Sequence, residues 1–340
     1  MNENEMGQSS KEETISTEEL NKAKAIIDKI NRYYNSRIVG QRNLQTALLV
    51  SLLSNGHILL ESVPGLAKST AAKTITDSVK GKFSRIKCTP DLLPSDISGT
   101  QVFNYTTSKF ETRLGPVYAN FVLLDEINRS SAKTQSSMLE AMQERQVSIG
   151  GEVFKMPEIF LVIATQNPIE QEGTYMLAEA QLDRFLLKEV LGYPTIEEEV
   201  AILSRVKTDI FSVEIKEEEC VELEDVHFLQ KLSKDVYVDA SIKRYIAQIV
   251  EVTRNSRNYL PAELSKYVES GSSPRGSIAL MQAGQAIALM NGRSFVTPDD
   301  IKLLKHSILR HRISLNFEAV ADDVKVETII DAIFSVVPTP

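Results

Sequence analysis

The chain has 340 residues, 42 % of them hydrophobic and 25 % charged, enough for about two domains with real buried cores. A formal net charge of −8 argues against wholesale binding to nucleic acid or an anionic membrane. There is no apolar run of the ~20 residues a spanning helix needs and no signal-peptide pattern. The two cysteines, Cys88 and Cys220, lack zinc spacing, so a cytoplasmic protein with reduced thiols is expected.

Residues 1–20 carry six Glu against one Lys and are expected to form an acidic, mobile tail. From Leu20 to about Ser54 apolar residues recur at helical spacing, with a break at "NSRIVGQ". Five short apolar runs then alternate with helix-length segments: "HILLE" (57–61), "FSRIKC" (83–88), "FVLLDE" (121–126), "IFLVIAT" (159–165) and "FLLKEV" (185–190). Runs without polar alternation suit strands buried on both faces, so the pattern predicts an α/β fold with a five-stranded, mainly parallel sheet between helices. Two intervals depart from it: 99–116 alternates polar with β-branched and aromatic residues, and 145–157 places Gly150-Gly151 between alternating segments. Both read as hairpin insertions. A core over 21–205 is followed by a charged linker, 206–227, and a small all-helical domain, 228–335. In the latter, "TPDDIKLLKHSI" has Thr297 as N-cap and Pro298 in the first helical position.

The chemistry concentrates at the ends of the predicted strands. "ESVPGLAKST" follows the first and runs into a helix, the context of a phosphate-cradling loop, although Ser62 and Ala67 stand where the strict pattern has glycine. Lys68 would reach β- and γ-phosphates, Ser69 would help hold Mg²⁺, and Gly65 leaves the backbone unencumbered. "FVLLDEIN" ends in Asp125 and Glu126: the first can hold Mg²⁺ through water and the second can orient an attacking water, unless the pair merely caps the next helix. "IFLVIATQNP" ends in Gln166 and Asn167, amides able to meet a γ-phosphate or simply to form a turn. Arg184 in "LDRF" and Arg275 in "SPRG" are ordinary surface arginines if taken singly. His57, His227, His306 and His311 share no metal-ligand spacing and read as structural or surface residues.

In this order, "VPGLAK", "LLDEIN", "ATQNPIEQEGTYMLAEAQLDRF" and "SPRG" resemble the AAA+ ATPases of the MoxR family, over about residues 20–335. The resemblance implies a P-loop NTPase core with a helical lid, and ATP with Mg²⁺ as cofactors. It makes Lys68 and Ser69 the Walker A ligands, Asp125 and Glu126 the Walker B pair, Asn167 sensor 1, Arg184 the arginine finger and Arg275 sensor 2. Val39 and Gly40 of "IVGQ" would line the adenine, and Val63, Pro64, Gly65, Leu66, Ala67 and Thr70 would complete the loop. The two hairpins match the helix-2 insert and the pre-sensor-1 hairpin, and Arg129 matches a position near a subunit interface. The resemblance further implies a homo-oligomeric ring, usually a hexamer, that remodels separate client proteins in a chaperone-like manner, with partners carrying von Willebrand factor A domains. Two other readings stay open: a nucleotide-gated scaffold that hardly hydrolyses, with Ser62 as its support, and a DNA-handling motor, which the acidic balance opposes.

Overall fold

The computed structural model describes residues 15–63, 65–66, 68–168, 174–207 and 220–340. Pro64 and Ala67 of the loop, most of the acidic tail and most of the charged linker lie outside the described residues.

The first helix, α1 (Thr17–Arg37), begins inside the segment expected to be a mobile tail. A reciprocal cap explains it: the Glu19 N–H donates to Ser16 Oγ at 3.2 Å and the Ser16 N–H to Glu19 Oε2 at 2.9 Å. Its apolar stripe, including Ile27, Ile30 and Tyr34, supplies the burial that holds it. Gly40 and Gln41, both with positive φ, turn the chain into α2 (Arg42–Leu53).

The core then alternates as its sequence predicts: β1 (Ile58–Glu61), α3 (Lys68–Asp77), β2 (Phe83–Lys87), α4 (Pro94–Ser98), the hairpin β3 (Gly99–Asn104) and β4 (Lys109–Leu114), and β5 (Phe121–Asp125). After these come α5 (Ala132–Glu144), the hairpin β6 (Gln146–Ile149) and β7 (Glu152–Lys155), β8 (Leu161–Gln166), α6 (Glu179–Leu182), β9 (Leu187–Val190) and α7 (Ile196–Lys207). Five strands form one parallel sheet in the order β2-β5-β8-β1-β9, with Ile58 of β1 opposite both Ile163 and Leu187. One apolar cluster joins α1, α2 and α3 to one face, and a second joins α4, α5 and the β6–β7 hairpin to the other. This is the AAA+ nucleotide-binding fold. Strand β2 departs from the expectation of burial on both faces: it is an edge strand, and of its residues only Ile86 is fully buried.

The second domain comprises α8 (Leu223–Asp235), α9 (Ala240–Arg254), α10 (Ser256–Tyr259), α11 (Ala262–Ser265), β10 (Val268–Ser270), α12 (Pro274–Met290), α13 (Pro298–Leu303), α14 (Lys305–Leu309), β11 (Ser314–Leu315), α15 (Phe317–Ala321) and α16 (Val326–Val336). It is a helical lid, but not purely helical, because β10 and β11 pair as a small antiparallel ladder. Helix α8 takes the last residues of the expected linker, where Val226 has a core to enter. No helix among the described residues is long and apolar enough to cross a membrane.

Candidate functional site

Parallel strands bring their carboxyl ends to one edge of the sheet, where ligands of open α/β folds bind. Because β8 lies between β1 and β5, the ends of all three converge there. The loop leaving β1 turns at Gly65, whose φ of +89° favours glycine and which has open space where a side chain would stand. Ser62 is not among the positive-φ residues, so serine serves there without backbone strain. Lys68 opens α3, and its ammonium donates to the carbonyls of Ser62 at 2.7 Å and Gln166 at 3.1 Å, spanning the ends of β1 and β8. The adjacent Ser69 Oγ donates to Asp125 Oδ1 at 2.9 Å.

Glu126 follows in the left-handed conformation, φ +57°, an unusual state for a glutamate and one held in place from outside. The Thr165 hydroxyl accepts its N–H at 2.9 Å, and Arg129 Nη1 lies 3.3 Å from its carboxylate. A 3₁₀ turn (Ile127–Arg129) separates it from α5, which Ser131 caps by accepting the Thr134 N–H. The helix-capping reading of Asp125-Glu126 therefore fails. Asn167 is buried at the end of β8, its carbonyl accepting from Asn128 Nδ2 at 3.3 Å.

Val39 and Gly40 line a separate cleft of ≈ 660 Å³ with Ile38, Thr46, Glu198 and Arg205. The cleft adjoins the loop after β1: Gln41 Nε2 donates to the Leu66 carbonyl at 3.3 Å, and the Gln41 N–H to Glu198 Oε1 at 3.3 Å. Thr70 is the third residue of α3, its carbonyl accepting from the Thr74 hydroxyl.

Arg184 and Arg275 do not join this group. Arg184 precedes β9, and that end of the sheet also holds His57, whose carbonyl accepts the Leu186 N–H at 2.8 Å. The five residue steps from His57 to Ser62 separate the two ends by about 16 Å. Arg184, Arg275, Arg145, Arg312 and Asp183 line one cavity of ≈ 230 Å³ at that far end. Asp183 accepts from Arg312 Nε at 2.9 Å and from Ser273 Oγ at 2.8 Å, with Arg275 Nη1 at 4.0 Å. Lid and core thus place both arginines on one edge, opposite the chain's own loop.

The chain matches the family described as "ATPase family associated with various cellular activities (AAA)" over residues 57–187 and an AAA lid domain over 262–333. Chaperone MoxR1 of Mycobacterium tuberculosis is 44 % identical over 303 residues, covering 89 % of this chain and 79 % of that protein. The chain belongs to the MoxR family of AAA+ proteins. Protein MoxR of Paracoccus denitrificans is 28 % identical over 322 residues, 90 % of this chain and 94 % of its own length. A crystal structure of a candidate ATPase from Cytophaga hutchinsonii superposes with a TM-score of 0.87 at 40 % identity, covering 95 % of this chain and 97 % of that one.

In this MoxR-family chain several residues at the site escaped the sequence reading. Arg85, on edge strand β2, reaches Asp125 Oδ2 through Nε at 2.6 Å and Nη2 at 2.5 Å. Glu61, beside the loop, pairs with Lys188 at 2.8 Å and accepts from Gln166 Nε2. The one sequence signal for Arg85 is a charge interrupting an apolar run. The histidines expected to be structural at the core include His57, whose Nδ1 accepts the Val162 N–H at 3.1 Å while Nε2 meets the Met142 carbonyl at 3.2 Å. Burial, with Arg145 adding to it, pushes the His57 imidazole down to about 3. Burial likewise pushes the Cys88 thiol up to about 12, in keeping with an inert reduced cysteine.

Among the described residues no cluster of three or more His, Cys, Asp or Glu could hold a metal alone. Ser69 and Asp125 fit Mg²⁺ differently: two hard oxygen donors, 2.9 Å apart beside the loop, suit an ion whose other ligands are water and phosphate oxygens.

Proposed function

We propose that this MoxR-family protein binds ATP with Mg²⁺ and hydrolyses it at sites completed by a neighbouring copy, driving chaperone-like remodelling of partner proteins. The observation that carries the reading is the division of charge between the sheet's two ends. Lys68, Ser69, Asp125, Glu126 and Asn167 gather at one, while Arg184 and Arg275 stand together at the other.

Adenine enters the cleft at Val39 and Gly40, and the phosphates lie along the loop from Val63 to Thr70, against its N–H groups and the start of α3. Lys68 exchanges its carbonyl partners for β- and γ-phosphate oxygens, which bind an ammonium more strongly. Ser69 and Asp125 would hold Mg²⁺, which would neutralise charge on those oxygens. Glu126, its backbone pinned by Thr165, orients the attacking water, and Asn167 donates to the γ-phosphate. Arg184 and Arg275 of the next copy meet the developing charge from outside; an arginine delivered this way is worth about 10³–10⁵ in rate. Assembly into a ring, a hexamer in this reading, therefore switches turnover on. The clients are separate proteins, with von Willebrand factor A domains as the proposed partner class.

Lys68→Ala is expected to abolish binding of a fluorescent ATP analogue. Glu126→Gln is expected to bind it normally while losing turnover. Hydrolysis at the wild-type rate by Glu126→Gln would remove Glu126 from its role.

A further inference from the structure

Past Leu124 and Ala164 the residue-by-residue pairing of β5 with β8 stops, and side chains carry the connection onward. The first tie is the Thr165 hydroxyl, which accepts the Glu126 N–H at 2.9 Å. The second comes two residues further along each segment. Asn128, buried in the 3₁₀ turn, sends its Nδ2 to the Asn167 carbonyl at 3.3 Å. A carbonyl can only accept, so the donor end of the amide must face it. The Asn128 carbonyl reaches the same segment further on, accepting the Tyr175 N–H at 2.6 Å. Its neighbour Gln135 of α5 is also a buried amide, and its Nε2 serves three carbonyls: Ile127 at 3.2 Å, Ser130 at 3.2 Å and Tyr175 at 3.0 Å. Asn128 differs from it. Asn128 Oδ1 is buried without a partner among the described residues. Burying an unpaired acceptor costs at least as much as one neutral hydrogen bond returns, so stability alone does not account for an asparagine at this position.

We propose that Asn128 is a positioning residue for hydrolysis. It touches neither nucleotide nor water, but it fixes Asn167 relative to Glu126, so that the amide meeting the γ-phosphate and the carboxylate orienting the water keep one spacing. This rests on the roles given to Glu126 and Asn167 above. The ties at Thr165 and Asn128 bracket that spacing from both sides. Spacing of this kind matters to the rate more than to binding, because a displacement of about 1 Å at a reacting group can cost about 10² in turnover. ATP binding draws instead on Lys68 and the loop that follows β1, which Asn128 does not contact in the described residues.

The test is a double-mutant cycle in the full-length chain: Asn128→Ala, Asn167→Ala and the two together. For each, kcat for ATP and the affinity for a fluorescent ATP analogue are read separately, at one protein concentration and well below the melting midpoint. Asn128→Ser, whose hydroxyl is one bond too short for the Asn167 carbonyl, stands in should the alanine variant not fold. Asn128→Ala is expected to lower kcat by about tenfold or more while analogue affinity stays within about twofold. In the Asn167→Ala background the same change should cost less than about threefold, because the amide it positions is gone. An asparagine serving stability alone would lower the melting midpoint and change kcat by the same factor in both backgrounds, which would overturn the proposal. Turnover by Asn128→Ala or Asn128→Ser at the wild-type rate, with Asn167→Ala impaired, would overturn it too while leaving the role of Asn167 intact. Wild-type turnover by Asn167→Ala would refute that role itself, and the positioning role with it.

Discussion

Replacing Arg312 with Met should loosen the attachment of the lid to the arginine edge. Arg312 is buried, and besides Asp183 it donates to the carbonyls of Leu186 at 3.1 Å, Phe185 at 2.6 Å and Ile308. Burial pulls its guanidinium down to about 10, against the attraction of Asp183, so it remains charged at neutral pH. Removing one partner of a buried pair costs about 3–5 kcal/mol, and without Arg312 the part-buried Asp183 keeps only Ser273 and the more distant Arg275. With an unfolding entropy of ~2.1 cal/mol/K per residue, the chain's ΔS is about 0.7 kcal/mol/K, so the midpoint should fall by about 6 °C. The folded pKa lies below the unfolded one, and a contribution of that sign varies only at or above pH 10, so the loss should be flat from pH 6 to 9. Scanning calorimetry reads it directly. Adding Asp183→Asn to Arg312→Met should cost less than the two changes summed, by about 1–3 kcal/mol. Turnover should fall with either change while ATP affinity holds, since both act at the far end of the sheet. A midpoint shift below about 2 °C, or strictly additive effects, would refute the argument.

Two further expectations concern the nucleotide end and the core. Arg85→Ala frees one oxygen of Asp125 from an exposed cation, so half-maximal Mg²⁺ for binding a fluorescent ATP analogue should fall by about two- to fivefold. An unchanged or higher Mg²⁺ requirement would show that the pair does not compete with the metal. For His57, a folded pKa near 3 against 6.5 unfolded means that stability is full above pH 6.5 and is lost as pH falls toward 3. At pH 5 that loss is about 2 kcal/mol, and denaturant titration of His57→Gln should show a correspondingly shallower decline between pH 6.5 and 5. Equal declines would mean that His57 takes up its proton in the folded state.

Much of this was legible because local sequence carries it. Short apolar runs marked all five sheet strands, that of β2 interrupted by Ser84, Arg85 and Lys87, although β8 starts at Leu161 and β9 at Leu187, later than the runs suggest. Ile159, Phe160, Phe185 and Leu186 are buried on the approach to those strands, so the runs report burial rather than ladder pairing. Loop, carboxylates and amide were legible because each terminates a strand, and parallel strands share an end. What escaped depends on register and on long-range packing. Arg85 meets Asp125 only because β2 pairs with β5, and Asp183 meets Arg312 across 129 residues of sequence. The far-end placement of Arg275 follows from how α12 packs beside Asp183, which no spacing encodes.

The most direct test of the shared site mixes two variants that are each expected to be inactive. Arg184→Ala keeps Glu126, proposed to orient the water, and Glu126→Gln keeps Arg184. In a random equimolar assembly one contact in four joins a good Glu126 to a good Arg184, so ATP hydrolysis should recover to about a quarter of the wild-type rate per chain. A mixture as inactive as its components, although it assembles and binds ATP, would contradict the claim that Arg184 acts on a neighbour's nucleotide.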